Sequence, residues 1–353
     1  MAAISQLALY VSLVVAAAPG AQNKGRDGGA KMTGSGLGRV SIDAALDKLY
    51  PNEKDYRFGL EPAQGEASAP LAEVVVFRAK KPTPHWLYVT YGLTELDSKT
   101  SSDAAISGFG VEYTIRLADD SAEPPRWPIN LLRWLAGKVW ETRQPYDPGH
   151  SMNLPNQMLE KYSAGIEGLA FFEDEQISSI NSINGKITFA TILPLMQGEY
   201  ELIGNWDAFK LAKEVIALNG DALWRPGRVS LLKSARANAI SERVAKEGSS
   251  QSVDFYEIGF TPDEILLDEI GVKIFKKFLV HRVAHGRDAK VLWNEKVVQL
   301  EPGDWAYTAD QRGCKLRIPP KESGRLAAEI KAATNGSTLT RPGGVRLRVD
   351  RAQ

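Results

Sequence analysis

The chain has 353 residues, room for two domains of ordinary size. Its 43% apolar and 24% charged composition excludes a disordered, collagen-like or low-complexity chain. The 43 basic residues balance 43 acidic ones, so no global field recommends nucleic acid or an anionic membrane as a partner, and the lone cysteine, Cys314, excludes an intramolecular disulfide and suits a reducing, cytoplasmic compartment.

At the amino terminus, Leu7 to Ala18 forms an apolar run with no basic residue before Lys24. It is shorter than the roughly 20 apolar residues a spanning helix needs, and the missing basic flank departs from a secretory signal. Two readings stay open: a signal over residues 1–21, which would export the chain, or a start upstream of Met32. Residues 1–40 are set apart as a flexible or signal-like segment. From Ser41 to Tyr50, Ile42, Ala45, Leu46 and Leu49 share one helical face, with Ser41 as N-cap and Pro51 beyond the end. β-Branched and aromatic residues over Val74–Phe77 and Leu87–Tyr91, bounded by Pro70, Pro82, Pro84 and Gly92, predict two strands. Phe109, Val111, Tyr113, Ile115 and Leu117 alternate with Gly110, Glu112, Thr114 and Arg116, which predicts a strand with one buried and one wet face. The period then changes, and Leu131, Leu132, Leu135 and Val139 predict a helix with Pro128 in its first turn. Gln144 to Pro155, with three prolines and Gly149, reads as a loop.

Strands return at Gly168–Phe172 and Lys186–Leu193, the second led by the hairpin dipeptide Asn184-Gly185, which implies antiparallel pairing. Trp206 to Leu218 reads as a helix closed by Asn219-Gly220, and Ala235–Lys246 as another. Glu247-Gly-Ser-Ser-Gln-Ser252 has the composition of a flexible linker. Apolar runs at Val272–Val280, Ala289–Trp293, Lys296–Leu300, Trp305–Thr308 and Cys314–Ile318 predict strands before a helix at Glu322–Ala333. The expected organisation is α+β: a first domain over residues 41–222, a linker or helical connection over 223–252, and a strand-rich C-terminal domain over 253–353.

Few motifs suggest chemistry. Gly34-Ser-Gly-Leu-Gly38 lacks the spacing of a phosphate-cradling fingerprint and reads as linker. His281-Arg-Val-Ala-His285 has the spacing of paired imidazole ligands on a helix but no catalytic glutamate. Read as a strand, it holds the two histidines about 13 Å apart. A metal-dependent or other hydrolase using His281 and His285 is the alternative function. There is no Gly-x-Ser-x-Gly nucleophile elbow. Cys314 alternates with Leu316 and Ile318 as a buried strand residue would, and Glu173-Asp-Glu175 reads as a solvated strand end. No cofactor and no metal is expected. Trp134 and Trp140 flank the Leu131, Leu135 and Val139 stripe, so at least one is a candidate surface anchor.

Several blocks carry a resemblance: His85-Trp-Leu-Tyr-Val-Thr-Tyr-Gly-Leu-Thr-Glu-Leu96, Ser107-Gly-Phe-Gly-Val-Glu-Tyr-Thr-Ile-Arg-Leu117, Pro124-Pro-Arg-Trp-Pro-Ile-Asn-Leu-Leu132, Pro148-Gly-His150, Leu169-Ala-Phe-Phe-Glu-Asp174 and Asn184-Gly-Lys-Ile-Thr-Phe189. In order and spacing, from residue 43 to about 206, they resemble the suppressor-of-fused family, and its bacterial members more closely in the Pro148–His150 turn. The resemblance implies a mixed, largely antiparallel sheet flanked by helices, and a role in protein binding. In animal members two domains close around an extended peptide of Gli-type transcription factors by strand addition, holding them in the cytoplasm. Those proteins grip the peptide with a tyrosine in the helix after the Trp-Pro block and an aspartate in the next loop. The matching positions here are Lys138 and His150, which inverts the local charge and points away from a Gli-like ligand. For bacterial members the resemblance implies immunity proteins that neutralise partner toxins. Residues 253–349 resemble the family's second domain, chiefly over Phe278-Leu-Val-His-Arg-Val-Ala-His-Gly-Arg287.

The expected function is non-enzymatic binding of another protein or an extended peptide segment, with neither nucleic acid nor membrane as partner. The expected contacts are Lys138, Trp140, Tyr146, Asp147 and His150, because loops carry binding residues more often than the elements they join.

Overall fold

The computed structural model describes residues 36–351 apart from 52, 62–69, 81–82 and 155–165. The apolar run at Leu7–Ala18 and Met32 lie outside the described residues. The first part of the chain comprises α1 (Leu37–Leu49), β1 (Asp55–Gly59), β2 (Glu73–Ala79), β3 (His85–Tyr91), β4 (Ile106–Leu117), α2 (Trp127–Thr142), β5 (Ser151–Asn153), β6 (Ile166–Glu173), β7 (Ile180–Ser182), β8 (Gly185–Met196), α3 (Glu199–Asn205), α4 (Ala208–Asn219) and α5 (Ala237–Glu247). The second comprises β9 (Val253–Phe255), β10 (Gly259–Phe260), β11 (Ile265–Leu267), α6 (Glu269–His281), β12 (Ala289–Trp293), β13 (Lys296–Pro302), β14 (Ala306–Ala309), β15 (Gly313–Ile318), α7 (Pro320–Ala332), β16 (Thr338–Thr340) and β17 (Arg346–Val349). This is an α+β fold. None of the described helices is long and apolar enough to cross a membrane.

The first sheet runs β1-β2-β3-β4-β8-β6-β5, with β7 also paired to β8. Every pair is antiparallel except β4 with β8. A parallel pair needs a long crossover, and here α2 and β5 to β7 supply it. On one face α2 buries Leu131, Leu132, Leu135 and Val139 against Trp86, Tyr88, Tyr113, Ile115 and Phe171. On the other face α1 places Ile42 and Leu46 over Val75, Val89 and Phe189, and α3 to α5 cover Ala170, Phe172, Leu193 and Leu195. With both faces covered, all of β3 is buried.

Covering both faces also buries what sequence alternation assigns to solvent. Glu112 and Thr114 are fully buried and Arg116 is only 5% exposed, because α1 and the segment after β6 lie over the even positions of β4. A polar group leaves water only when its bonds are replaced. Glu112 accepts from Thr90 Oγ1 (2.5 Å), Thr94 Oγ1 (2.7 Å), Gly92 N (3.0 Å) and Thr94 N (2.9 Å). Asp174, expected on a solvated end, is buried instead and accepts from Thr114 Oγ1 (2.6 Å) and from both guanidinium arms of Arg116, Nη2 at 2.9 Å. Glu173 and Glu175 beside it are exposed.

Other expectations shift. Helix α1 starts at Leu37, so Ser41 is no N-cap; its Oγ donates to Leu37 O within the helix (3.0 Å). Gly38 lies inside α1, where a Cβ would stand 2.1 Å from Glu95 O, so this glycine permits close packing rather than serving as linker. Trp206 sits at a break between two helices, and α4 begins after Asp207, whose side chain accepts from Lys210 N (2.9 Å). Val272–Val280 is helix, not strand. Asp268 caps α6 by accepting from Gly271 N (2.7 Å), and Val272, Phe275, Phe278 and Leu279 recur at helical spacing on its buried face.

In the second part, sheets ordered β14-β15-β13-β12-β9 and β10-β11-β17-β16 share a core with α6 and α7 through Phe275, Phe278, Leu326 and Ile330. Cys314 is a buried strand residue, and burial pushes its thiol up to about 12. The segment expected to connect the two parts packs onto the first: Trp224 joins the α2 side of the core, and Leu231, Ile240 and Val244 join the α3–α4 side. Nor is the Gly-Ser stretch after α5 an exposed flexible linker, since Ser249 is fully buried.

Two predictions follow from β4. Burial opposes the charge of Asp174, but Arg116, Thr114 and Ile177 N–H outweigh it and hold the carboxyl below its usual range. Removing one member of a buried pair strands the other, so Asp174→Asn should lower unfolding free energy by about 3–5 kcal/mol in urea titrations at pH 7. Glu112 has the opposite sign: burial pushes it from 4.5 up to about 7 despite its four bonds. Between those values the native state keeps a proton that the unfolded chain releases, so stability falls as pH rises through that window. Glu112→Gln should flatten that decline, and an unchanged slope between pH 4.5 and 7 would show that Glu112 is ionised throughout.

Candidate protein-binding site

The expected contact residues flank the end of α2. The helix stops where Arg143 adopts φ 57°. Trp140 in its last turn is 40% exposed, while Trp134 packs against the core. The Trp140 ring meets Phe109 edge-on at 4.9 Å, its Nε1 donates to Pro70 O (2.8 Å), and Arg143 stacks over it at 4.9 Å. Lys138 pairs with Glu141 at 2.6 Å. Tyr146 stacks on Phe171 at 5.0 Å, and its N–H donates to Tyr113 OH (2.7 Å). Asp147 and His150 are exposed at the two ends of one turn: Asp147 N–H donates to His150 Nδ1 (3.1 Å), and His150 N–H to Asp147 O (3.0 Å). The structure thus anchors Trp140 and Tyr146 on the core and leaves Lys138, Asp147 and His150 at the surface. Gly149 inside the turn has φ 98°, and its N–H donates to Phe171 O (2.7 Å), fastening the turn to β6.

The turn leads into β5, an edge of the first sheet among the described residues. Leu154 N donates to Glu167 O and Phe171 N to His150 O, so the even residues face β6 and the backbone of Ser151 and Asn153 points outward. β9 is likewise an edge of its sheet. Lys290 N donates to Ser252 O and Tyr256 N to Leu292 O, so Val253 and Phe255 point outward. Side chains stand in for a neighbouring strand there: Gln251 Nε2 donates to Val253 O (3.2 Å), and Phe255 N–H donates to Asp254 Oδ1 (3.0 Å). Sequence reading passes over both strands, since three residues are too few to show a period.

Both edges border one seam. On the first side, a Cβ at Gly168 would lie 2.7 Å from Met152 O of β5 and 3.1 Å from the Tyr200 ring of α3. Burial raises the Tyr200 phenol, and the charge of Asp254 on β9, then Tyr146, raises it further. Asp254 is tied to α6 through Lys277 (2.6 Å). Gln144, just past α2, shares a groove of about 390 Å³ with Phe255, Leu292 and Trp293. Phe255 is 67% and Trp293 43% exposed. His281 closes α6 and His285 lies in the short turn that follows; burial, then His285 and neighbouring lysines, push His281 down to about 4. Among the described residues, no three His, Cys, Asp or Glu side chains gather in a way that could hold a metal.

Residues 69–229, from the approach to β2 through the turn and β5 to Trp224, match the family model described as suppressor of fused protein. They form a suppressor-of-fused domain. The Suppressor of fused homologs of Homo sapiens and Mus musculus are each 29% identical to this chain over 131 residues, a match spanning 35% of this chain and only 27% of theirs. The crystal structure of Drosophila Suppressor of Fused shares the fold beyond the matched region: its TM-score is 0.75 at 16% identity, over 90% of this chain and 98% of that one. A chain of the Sufu-Fu complex crystal structure has a TM-score of 0.50 at 19% identity, over 56% of this chain and 94% of that one. The family match includes α2, the turn and β5, and stops short of β9.

Tyr113 links the core of this suppressor-of-fused domain to its surface turn. Tyr113→Phe removes the acceptor for Tyr146 N–H, at a cost of about 1–3 kcal/mol for an orphaned buried donor. Amide exchange at Tyr146 should accelerate along with a lower melting temperature; a protected Tyr146 amide in the variant would mean that another acceptor holds the turn.

Proposed function

We propose that this suppressor-of-fused protein binds another protein without catalysis, taking an extended segment of it as an added strand along β5 and β9. The observation that carries this reading is the pair of short edges on one seam, with outward groups at Ser151, Asn153, Val253 and Phe255, two of them held by the side chains of Gln251 and Asp254. Strand addition draws affinity from main-chain bonds and specificity from the side chains alongside. Those available are Lys138, Trp140, Tyr146, Asp147 and His150 on the first side and Phe255 with Trp293 on the second. The Sufu-Fu complex supports the reading in outline, since that relative is seen with a protein partner.

In its most concrete form the reading is a bacterial, cytoplasmic immunity protein that sequesters a toxin. Support comes from the Pro148-Gly149-His150 turn, from Lys138 and His150 where the animal relatives carry a tyrosine and an aspartate, and from the unpaired, buried Cys314.

Proline on a strand edge, with its nitrogen facing out, spares the inner ladder. Asn153→Pro and Val253→Pro therefore each delete one outward donor while leaving the β5–β6 and β9–β12 bonds in place. In pull-downs from the native host at physiological salt, the wild type should co-purify a partner that both variants lose while keeping their melting temperature. Retention of that partner by both variants would overturn strand addition, and repeated empty pull-downs with the wild type would overturn the binding reading itself.

A further inference from the structure

The two edges can serve one ligand only if something fixes their separation, and Ser249 and Ser250 lie where the two parts of the chain meet. Ser249 N–H donates to His281 O (2.6 Å) in the second part, and its hydroxyl donates to Gly204 O (2.8 Å) in the first. Ser250 N–H donates to Trp206 O (2.6 Å), again in the first part. The carbonyls of the joint are claimed by arginines. Arg282 Nη1 reaches Ser249 O (2.9 Å) and Ser250 O (3.1 Å), and Arg287 Nη1 reaches Ser249 O (3.1 Å). Arg282 is itself 7% exposed and is fastened to the second part by Nε donating to Asp288 O (2.7 Å). Gly248 completes the fit: a Cβ there would lie 2.6 Å from His281 O and 2.7 Å from the His285 ring.

The joint is connected to both edges. Gly204 belongs to α3, whose Tyr200 abuts Gly168 beside β5, and Trp206 caps that helix. Arg282 follows directly on α6, whose Lys277 holds Asp254 of β9. We propose that Arg282, assisted by Arg287, is a positioning residue that locks the Ser249–Ser250 joint, so that β5 and β9 stand at their binding separation before any partner arrives. Swinging the two parts apart would break the bonds to Gly204 and Trp206, or else those to His281 and the two arginines. It would also leave a buried guanidinium with part of its bonding lost, the expensive outcome for a charge away from water. The composition of this stretch suggests a free hinge, whereas its bonding is that of a latch. The proposal builds on strand addition, but its test needs no partner.

Spin labels at Lys213→Cys and Lys321→Cys, both exposed and one in each part, report the separation by pulsed dipolar spectroscopy on the full chain. Cys314 is buried with a raised thiol and stays unlabelled. The parent protein should give one narrow distance distribution. Arg282→Gln should widen it or add a longer-distance population. Ser249→Ala, which removes the hydroxyl's bonds to Gly204 O and from Gln251 N–H and leaves Arg282 in place, should do so to a smaller degree while keeping a native melt. A broad or two-peaked distribution in the parent overturns the proposal. So does a distribution in both variants as narrow as the parent's. A narrow parent distribution together with edge-proline variants that keep their partner would defeat strand addition and leave the latch standing.

Discussion

Glu112, Thr114 and Arg116 occupy the even positions of β4, and a sheet covered on both faces must satisfy all three without water. The solution organises the rest of the sheet. Glu112 draws in the backbone of Gly92 and Thr94, which fixes where β3 ends. Arg116 and Thr114 capture Asp174, which fixes the segment leaving β6. The far side of β6 holds the Gly149–His150 turn and β5, so the outer edge of the sheet is placed by bonds made at its middle.

From that edge, order passes through few contacts. Tyr200 rests on Gly168, α3 meets the joint at Gly204 and Trp206, and α6 leaves it carrying Lys277 toward β9. The Trp206 side chain is fully buried, donates to Glu247 Oε2 (2.8 Å) and lies beneath Arg243, so the first part presents a stiff abutment. Apolar burial makes each part stable, while directed polar bonds set how one part faces the other.

Elements with a strong period were legible in the sequence. The odd positions of β4, the α2 stripe and the unbroken run of β3 each appear where the pattern puts them, as do the strands around Cys314. The errors share a cause: local composition does not reveal what a neighbour covers. Alternation in β4 looks half-wet until α1 lies over it, and Glu-Asp-Glu looks solvated until Arg116 reaches Asp174. At Val272–Leu279 the helical spacing was present, but a run of large apolar residues resembles a strand unless the Asp268 cap is weighed. Of the candidate site, the α2 end and the turn were put forward from the family resemblance. β5, β9, Tyr200 and Gln251 were not, since their roles come from contacts between residues far apart in the chain.

β5 and β9 are each only three residues long, and that shortness has a consequence for selectivity. A visiting chain that settles on one edge gains a few backbone bonds, each worth about 0.5–1.5 kcal/mol. It pays about 1–2 kcal/mol per residue to become ordered. Half-engagement therefore dissociates. Under the proposed strand addition, a segment in contact with both edges roughly doubles its bonds over the same ordered length, and only that arrangement would persist. Long open edges collect stray unfolded chains and seed self-association. On the proposed strand addition, two truncated edges engaged together make adhesion conditional on a simultaneous fit, and each alone offers a stray chain too little backbone to seed aggregation.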